Sequence, residues 1–243
     1  MNILLIQIRP DVIIADHEFR LVVDKAALSP VSFTRINAGT PEGLATLGAV
    51  TDLSDYSAIM IGGSGEYLIS RGDIPETIAR ITELLHQARE RRIPVLGICF
   101  GGQIMTQAFG GRVELDESRA EIGSFELALT DDGARDPLFA SLPNRFDVQE
   151  GHKDQFVELP PGSVLLASST KQPHQAWTFP GEPLYAVQFH PELDEEAMKY
   201  RVDYYAEEYQ MTPEKVATMH AALRPSPHAS GLIKAFLRQF VSG

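Results

Sequence analysis

The residues able to do chemistry in this sequence fall in three short stretches. Cys99, the single cysteine in 243 residues, lies in Gly97-Ile98-Cys99-Phe100-Gly101-Gly102-Gln103. The other two stretches are Gln188-Phe189-His190-Pro191-Glu192 and Ile61-Gly62-Gly63-Ser64-Gly65. A free thiol has a pKa of roughly 8.5, so it becomes a good nucleophile where a helix end or an imidazole favours the thiolate. His190 is the candidate base that takes the thiol proton and later protonates a leaving amine. Glu192 is the candidate that holds the imidazole tautomer and stabilises its cation. Backbone N–H groups near Gly63 and from Phe100 are candidates for an oxyanion hole, each donor worth about 3 kcal/mol of barrier. The combination suits acyl transfer from an amide. The thiol is acylated, ammonia or an amine leaves, and water cleaves the thioester.

Plainer readings exist for each stretch. A lone cysteine beside a strand is most often a small buried hydrophobe, and glycine pairs end many strands. Three glycines around Cys99 tip the balance toward a built turn. His17, His86, His174, His220 and His228 are assigned structural roles. His190 differs from them because a strand ends there and an acid follows two residues later.

These groups need elements that bring them together. Arg92 to Leu96 reads as a buried strand running into the cysteine turn, and Ile104 to Phe109 as the helix that leaves it. A strand-to-helix turn strains its apex residue and needs small neighbours, which Gly97 and Gly101 supply. The helix then aims its positive end at the sulfur. Ile3 to Ile8, Val31 to Ile36 and Ser57 to Ile61 read as three earlier strands, and Pro75 to Arg92 as an amphipathic helix. Arg9 to Leu28 is expected to be a loop with a short helix facing inward through Phe19, Leu21 and Val22. Ala38 to Asp55 is expected to be a loop with one helical turn. Strands alternating with helices predict an α/β fold with an open, mostly parallel central sheet and helices on both faces. In such sheets the strand carboxyl ends share one edge, where ligands bind. The three stretches can therefore converge.

After Gly111 shorter strands follow, near 112–115, 124–129, 145–149, 163–167, 174–178 and 184–189, predicting a small antiparallel section. Asp194 to Tyr209, a segment opened by the Thr212 cap and Pro213, and Leu232 to Val241 read as helices that pack on the rest. With no repeat, low-complexity tract or long linker, one domain over 1–243 is expected, with a catalytic core at 1–192 and packing helices at 193–243.

The net charge of −12 argues against a nucleic-acid partner. No apolar run reaches the ~18 residues of a membrane span, and the apolar start reads as a first strand rather than a signal peptide. One cysteine leaves no intrachain disulfide and no multi-cysteine metal cluster. A lone reactive thiol fits a reducing compartment, so the expected location is cytoplasmic. No metal or cofactor is expected.

Together, GICFGGQ and QFHPE resemble the two active-site elements of the class I glutamine amidotransferase family, in the family's order and after a glycine turn. The likeness runs from about Ile3 to Glu192, and the pattern is most similar to stand-alone GMP-synthase-like members. The resemblance implies a flavodoxin-like fold, a triad of Cys99, His190 and Glu192, and an oxyanion hole from Gly63 and Phe100. It implies substrate contacts from Gln103 and from the backbone of Gln149, Glu150 and Gly151. Gly151-His152-Lys153-Asp154 also resembles a family segment, although many relatives carry serine where this chain has Gly151. His152 and Asp154 are left between a functional role and tying a loop to the sheet.

The full synthases of the family carry a second, ammonia-using domain, often with ATP, and this sequence has no G-x-x-x-x-G-K-[ST] loop. The implied substrate is glutamine or a γ-glutamyl small molecule. Three versions follow: a glutaminase subunit with a separate ammonia-using synthase partner, a self-sufficient γ-glutamyl hydrolase or peptidase, and a non-catalytic glutamine-binding regulatory protein.

Overall fold

A computed structural model describes residues 1–241. The chain opens with β1 (Ile3–Gln7), every residue of which is buried. Helix α1 (Val12–Ala26) follows, capped by Asp11, whose carboxylate accepts from the backbone N–H groups of Ile13 and Ile14. Then come β2 (Phe33–Asn37), α2 (Pro41–Gly48), β3 (Ala58–Ile61), α3 (Pro75–Glu90), β4 (Val95–Ile98) and α4 (Phe100–Ala108). The second half runs through β5 (Arg112–Leu115), β6 (Glu121–Leu129), β7 (Arg145–His152), β8 (Asp154–Glu158), β9 (Val164–Ser169), β10 (Ala176–Thr178) and β11 (Leu184–Val187). Four helices close the chain: α5 (Glu195–Tyr205), α6 (Pro213–Ala222), α7 (Pro227–Ser230) and α8 (Leu232–Phe240).

The main sheet has nine strands in the order β2-β1-β3-β4-β11-β10-β9-β6-β7. From β2 to β11 every pairing is parallel. From β11 to β7 every pairing is antiparallel. A separate two-stranded sheet pairs β5 with β8 antiparallel. The mostly parallel flavodoxin-like sheet and the small antiparallel section are thus as expected.

Alternate side chains of the parallel strands enter two cores. Ile3, Leu5, Met60, Leu96 and Ile98 pack with Val22 of α1 and with Ile233, Phe236 and Leu237 of α8. Leu4, Ile6, Ile59, Ile61 and Val95 pack with Ile81, Leu84 and Leu85 of α3 and with Ile104 and Met105 of α4. Burial of each large aliphatic side chain contributes about 1.5–3 kcal/mol. The two layers together clamp the central strands and so hold their carboxyl ends in place.

Four local expectations change. Helix α1 is 15 residues long, and its buried face carries Ile14, Ala15, Glu18, Val22 and Ala26, with Phe19 and Leu21 half-buried against the cores. The buried Glu18 hides the helical period, because a carboxylate normally marks the wet face. Helix α2 runs for two turns where one was expected; Thr40 caps it through Gly43 N–H, and Pro41 occupies its first position. Gly43 acts there through its size, since a Cβ would come within 1.7 Å of the Asn37 carbonyl oxygen. The short elements β8 and α7 carry no periodic signal of their own. Among the described residues no helix is long and apolar enough to cross a membrane.

Candidate active site

Cys99 sits between β4 and α4 with φ 50° and ψ −106°, a left-handed backbone that a non-glycine residue adopts only when its surroundings impose it. Those surroundings are tight. A Cβ at Gly97 would lie 2.4 Å from Met105 Sδ, and one at Gly101 would lie 2.3 Å from the Ile61 carbonyl oxygen. Glycine lets β4, β3 and α4 approach closely enough to force the turn. Gly101 N–H donates to Gly62 O at 3.1 Å, tying the cysteine turn to the glycine turn after β3. Cys99 N–H donates to Val187 O at 2.8 Å, tying it to the end of β11. The three stretches that lie far apart in sequence meet at one sheet edge.

His190 follows β11, and its backbone N–H donates to Gln149 O at 2.9 Å. Its Nδ1 lies 2.7 Å from Glu192 Oε1, and both side chains are buried. The ring and Cys99 line the same cavity. Burial opposes a charge on His190, but the Glu192 carboxylate, then the Cys99 sulfur, and the hydrogen bond to Glu192 outweigh it. The His190 pKa is pushed up to about 10. Burial likewise works to raise the Glu192 pKa, yet the facing imidazolium brings it below the ordinary carboxylate value. The pair therefore favours a charged ring beside the sulfur.

Gly63 packs between these groups. A Cβ there would lie 2.9 Å from His190 Cε1 and 3.6 Å from Cys99 Cβ. Among the described residues, no protein acceptor takes the N–H of Gly63 or that of Phe100. Phe100 opens α4, where the first amides have no partner within the helix. Gln188, two residues before His190, places its Nε2 3.7 Å from Cys99 Sγ.

A cavity of about 230 Å³ opens beside Cys99 and His190. Gln103 lines it, with Nε2 donating to Asp154 O at 3.0 Å. Of the Gln149–Gly151 stretch, Gly151 alone lines the cavity. Gln149 turns its side chain away, donating to Arg224 O at 2.8 Å and to Ser226 Oγ at 3.1 Å. Glu150 points into a buried cluster with Glu121 and His152, and neither of its carboxyl oxygens has a partner. Burial, then the neighbouring Glu121, raises the Glu150 pKa well above its ordinary value. Among the described residues, Glu121, Glu150 and His152 offer clustered ligand atoms for a metal. Glu121 is already engaged, accepting from Ser169 Oγ at 2.7 Å and from Gln175 Nε2.

Several wall residues escaped the sequence. Arg9, just beyond β1, is buried and bonds Glu18 through Nε at 3.0 Å and Nη2 at 2.6 Å, with Nη1 at 2.5 Å from Ser64 O. The signal available was a polar pair, Gln7 and Arg9, interrupting the apolar start at the carboxyl edge of a parallel sheet. The tail helices were expected only to pack. Instead Met198, Arg201, Val202 and Tyr205 of α5 line the cavity, joined by Tyr209, Met211 and Met219. Their spacing on α5 is helical, and that face turns toward the strand ends.

Residues 48–202 match the family model described as glutamine amidotransferase class-I. One component of the glutamine-hydrolysing GMP synthase of Pyrococcus abyssi, a separate subunit there, is 35% identical over 143 residues, 59% of this chain and 72% of that one. Its counterpart in Thermococcus kodakarensis is 39% identical over 121 residues, 50% of this chain and 62% of that one. The glutamine-hydrolysing GMP synthase of Thermosipho melanesiensis is 43% identical over 145 residues, 59% of this chain but only 25% of that longer protein. Among solved structures, a glutamine amidotransferase from Thermotoga maritima superposes with a TM-score of 0.74 at 22% identity, covering 100% of this chain and 99% of that one. That likeness concerns the fold.

Proposed function

The chain belongs to the class-I glutamine amidotransferase family, and from that premise we propose that it hydrolyses the side-chain amide of glutamine or of a γ-glutamyl compound through a thioester on Cys99. The observation that carries the reading is the line Cys99–His190–Glu192: a cysteine on a strained turn, at one cavity with a buried imidazole whose Nδ1 lies 2.7 Å from a carboxylate. Cys99 Sγ attacks the amide carbon, and the oxygen gathers negative charge toward the N–H groups of Gly63 and Phe100. His190 delivers its proton to the nitrogen as the C–N bond breaks. Water, deprotonated by His190, then cleaves the thioester to give glutamate and the free thiol. Glu192 holds the ring and its charge throughout.

Gln103 and Gly151 are the proposed contacts for the glutamyl part, because both line the cavity. On the same reading the chain works as one domain, with α5 and the segment after it forming part of the site rather than only packing on it. The names of the archaeal relatives favour a second version, in which the ammonia passes to a separate synthase subunit.

Ammonia or amine release by the wild type and by Cys99→Ala tests the proposal. The variant is expected to lose about four or more orders of magnitude in rate. Equal release by both removes Cys99 from the chemistry. Added synthase subunit raises glutaminase activity in the coupled version and leaves it unchanged in the self-sufficient one.

A further inference from the structure

Three side chains fully withdrawn from solvent converge where β6 meets β7. The strand register sets Glu121 directly opposite His152. Side chains alternate along a strand, so Glu150 shares the His152 face two residues earlier. His152 Nε2 lies 3.2 Å from Glu121 Oε2 and 3.7 Å from Glu150 Oε2. The surrounding hydrogen bonds leave these atoms facing one another as acceptors. His152 Nδ1 meets the Asp154 carbonyl oxygen at 3.1 Å, and a carbonyl can only accept, so the ring carries a proton on Nδ1. Nε2 of the neutral ring is then a lone pair aimed at two carboxylates. Glu121 Oε1 accepts from Ser169 Oγ, and Oε2 accepts from Gln175 Nε2, which leaves Oε2 a second lone pair for the ring side.

Acceptors this close need a cation between them. A proton on Nε2 bridges to Glu121 alone. It leaves both oxygens of the buried Glu150 without a partner, since 3.7 Å is beyond hydrogen-bond range. A second proton, on Glu150, removes that charge but still supplies no partner. A divalent ion reaches all three residues and cancels both carboxylate charges, which buried and uncompensated would be costly. The spacing suits it. Zinc bonds of about 2.0–2.1 Å to nitrogen and oxygen, arranged tetrahedrally, set neighbouring ligand atoms roughly 3.3 Å apart, a value the two separations from Nε2 bracket. The outer partners match as well. A metal-bound imidazole donates its far N–H to a carbonyl, here that of Asp154, and a metal-bound carboxylate is itself hydrogen-bonded, here by Ser169. His152 lines the cavity, which gives an ion and a completing water a way in.

We propose that Glu121, Glu150 and His152 form a structural site for one divalent transition-metal ion, zinc(II) in the first place, held by Glu121 Oε2, a carboxylate oxygen of Glu150 and His152 Nε2. Mixed imidazole and carboxylate donors suit that ion. The ion cross-links β6 to β7 behind the cavity and takes no part in acyl transfer. What it steadies is the strand that His190 stands against. Gly151, between two of the ligands, is close enough that a Cβ there would lie 3.7 Å from His190 Nε2, and Gln149 O accepts the His190 backbone N–H at 2.9 Å.

The test strips the full chain with a chelator, titrates it with zinc chloride, and reads bound metal per chain and Tm. One ion per chain is expected, with Tm raised by roughly 5–10 °C at a hundredfold excess over Kd. Glu150→Gln keeps the volume and removes the ligand charge, and is expected to weaken zinc binding by about a hundredfold or more. Cys99→Ala is expected to bind zinc as the wild type does. Cobalt(II) in the wild type reports the donor set without any variant: a visible d–d band is expected, with no near-ultraviolet charge-transfer band from a thiolate. Stripped wild type that takes up no zinc, its Tm unchanged, overturns the site and leaves protons holding the cluster. Zinc lost in Cys99→Ala, or a thiolate band with cobalt, puts the ion on the cysteine and overturns it too. So does undiminished binding by folded Glu150→Gln. None of these readouts needs turnover, so the site and the amide hydrolysis proposed above stand or fall separately.

Discussion

Two buried histidine–glutamate pairs stand beside the same cavity, and they are built for different work. His190 lies 2.7 Å from Glu192, and His152 lies 3.2 Å from Glu121. In the first pair one ring nitrogen is held by the carboxylate, and the other has no protein hydrogen bond among the described residues and lies at the cavity that Cys99 lines. In the second both nitrogens are taken, Nδ1 donating to Asp154 O at 3.1 Å and Nε2 facing Glu121. Asp154 itself accepts from Ser70 N–H at 2.8 Å and Ser70 Oγ at 2.6 Å, which fastens the loop after β3 to the sheet. A histidine moves protons only where a ring nitrogen faces something able to give or take one. On that criterion His190 is the proposed base, and His152 with Asp154 is proposed to hold the wall that His190 works against.

The largest effects should come from the first pair. His190→Asn is expected to lower kcat by about a thousandfold or more, with Glu192→Gln nearer a hundredfold because the base remains but its tautomer and charge are no longer held. Steady-state amine release measures both, and wild-type rates from either variant would erase the distinction between the pairs. His152→Asn should act instead on stability, leaving buried carboxyls short of a partner. That costs about 1–3 kcal/mol, or a Tm lower by roughly 3–10 °C in a domain of this size. A melting curve and a rate profile on one sample separate the two roles. A thousandfold loss of rate in His152→Asn with an unchanged Tm would reverse the assignment.

The smallest effect is in the pH dependence of stability, and its sign follows from the shifts. His190 has its pKa raised from 6.5 to about 10, so its contribution is complete below pH 6.5 and is lost as the pH rises through about 10. Glu192 has its pKa lowered from 4.5, so its contribution is complete above pH 4.5 and fades as the pH falls through the depressed value. The stability difference between wild type and Glu192→Gln should therefore be greatest between pH 4.5 and 6.5 and shrink toward pH 10. Thermal melts across that range test it, and a difference that grows toward pH 10 contradicts the ion pair.

The same contrast explains what could be read in the sequence. The turn at Cys99 was legible because its requirement is local: Gly97 and Gly101 are small where Met105 and Ile61 leave no room. The parallel sheet was legible because β1, β3 and β4 are short, wholly buried runs. The α5 wall of the cavity was not, because Arg201 stands between tyrosines in a charged helix and looks like a solvated face. Only the placement of α5 over the strand ends buries it. Glu18 misled in the same way, its partner Arg9 lying on another element. Arg224 and Ser226 of the tail hold the Gln149 side chain, and no local pattern in the sequence announces that placement.

The central claim is that Cys99 is an activated nucleophile in a glutamyl-shaped site. Intact-mass analysis after incubation with a diazoketone analogue of glutamine tests it in one step. The account predicts a single adduct, on the peptide that contains Cys99, forming far faster in the folded protein than in the unfolded one and slowed in His190→Asn. An unmodified folded protein, or labelling at the same rate after unfolding, would contradict it.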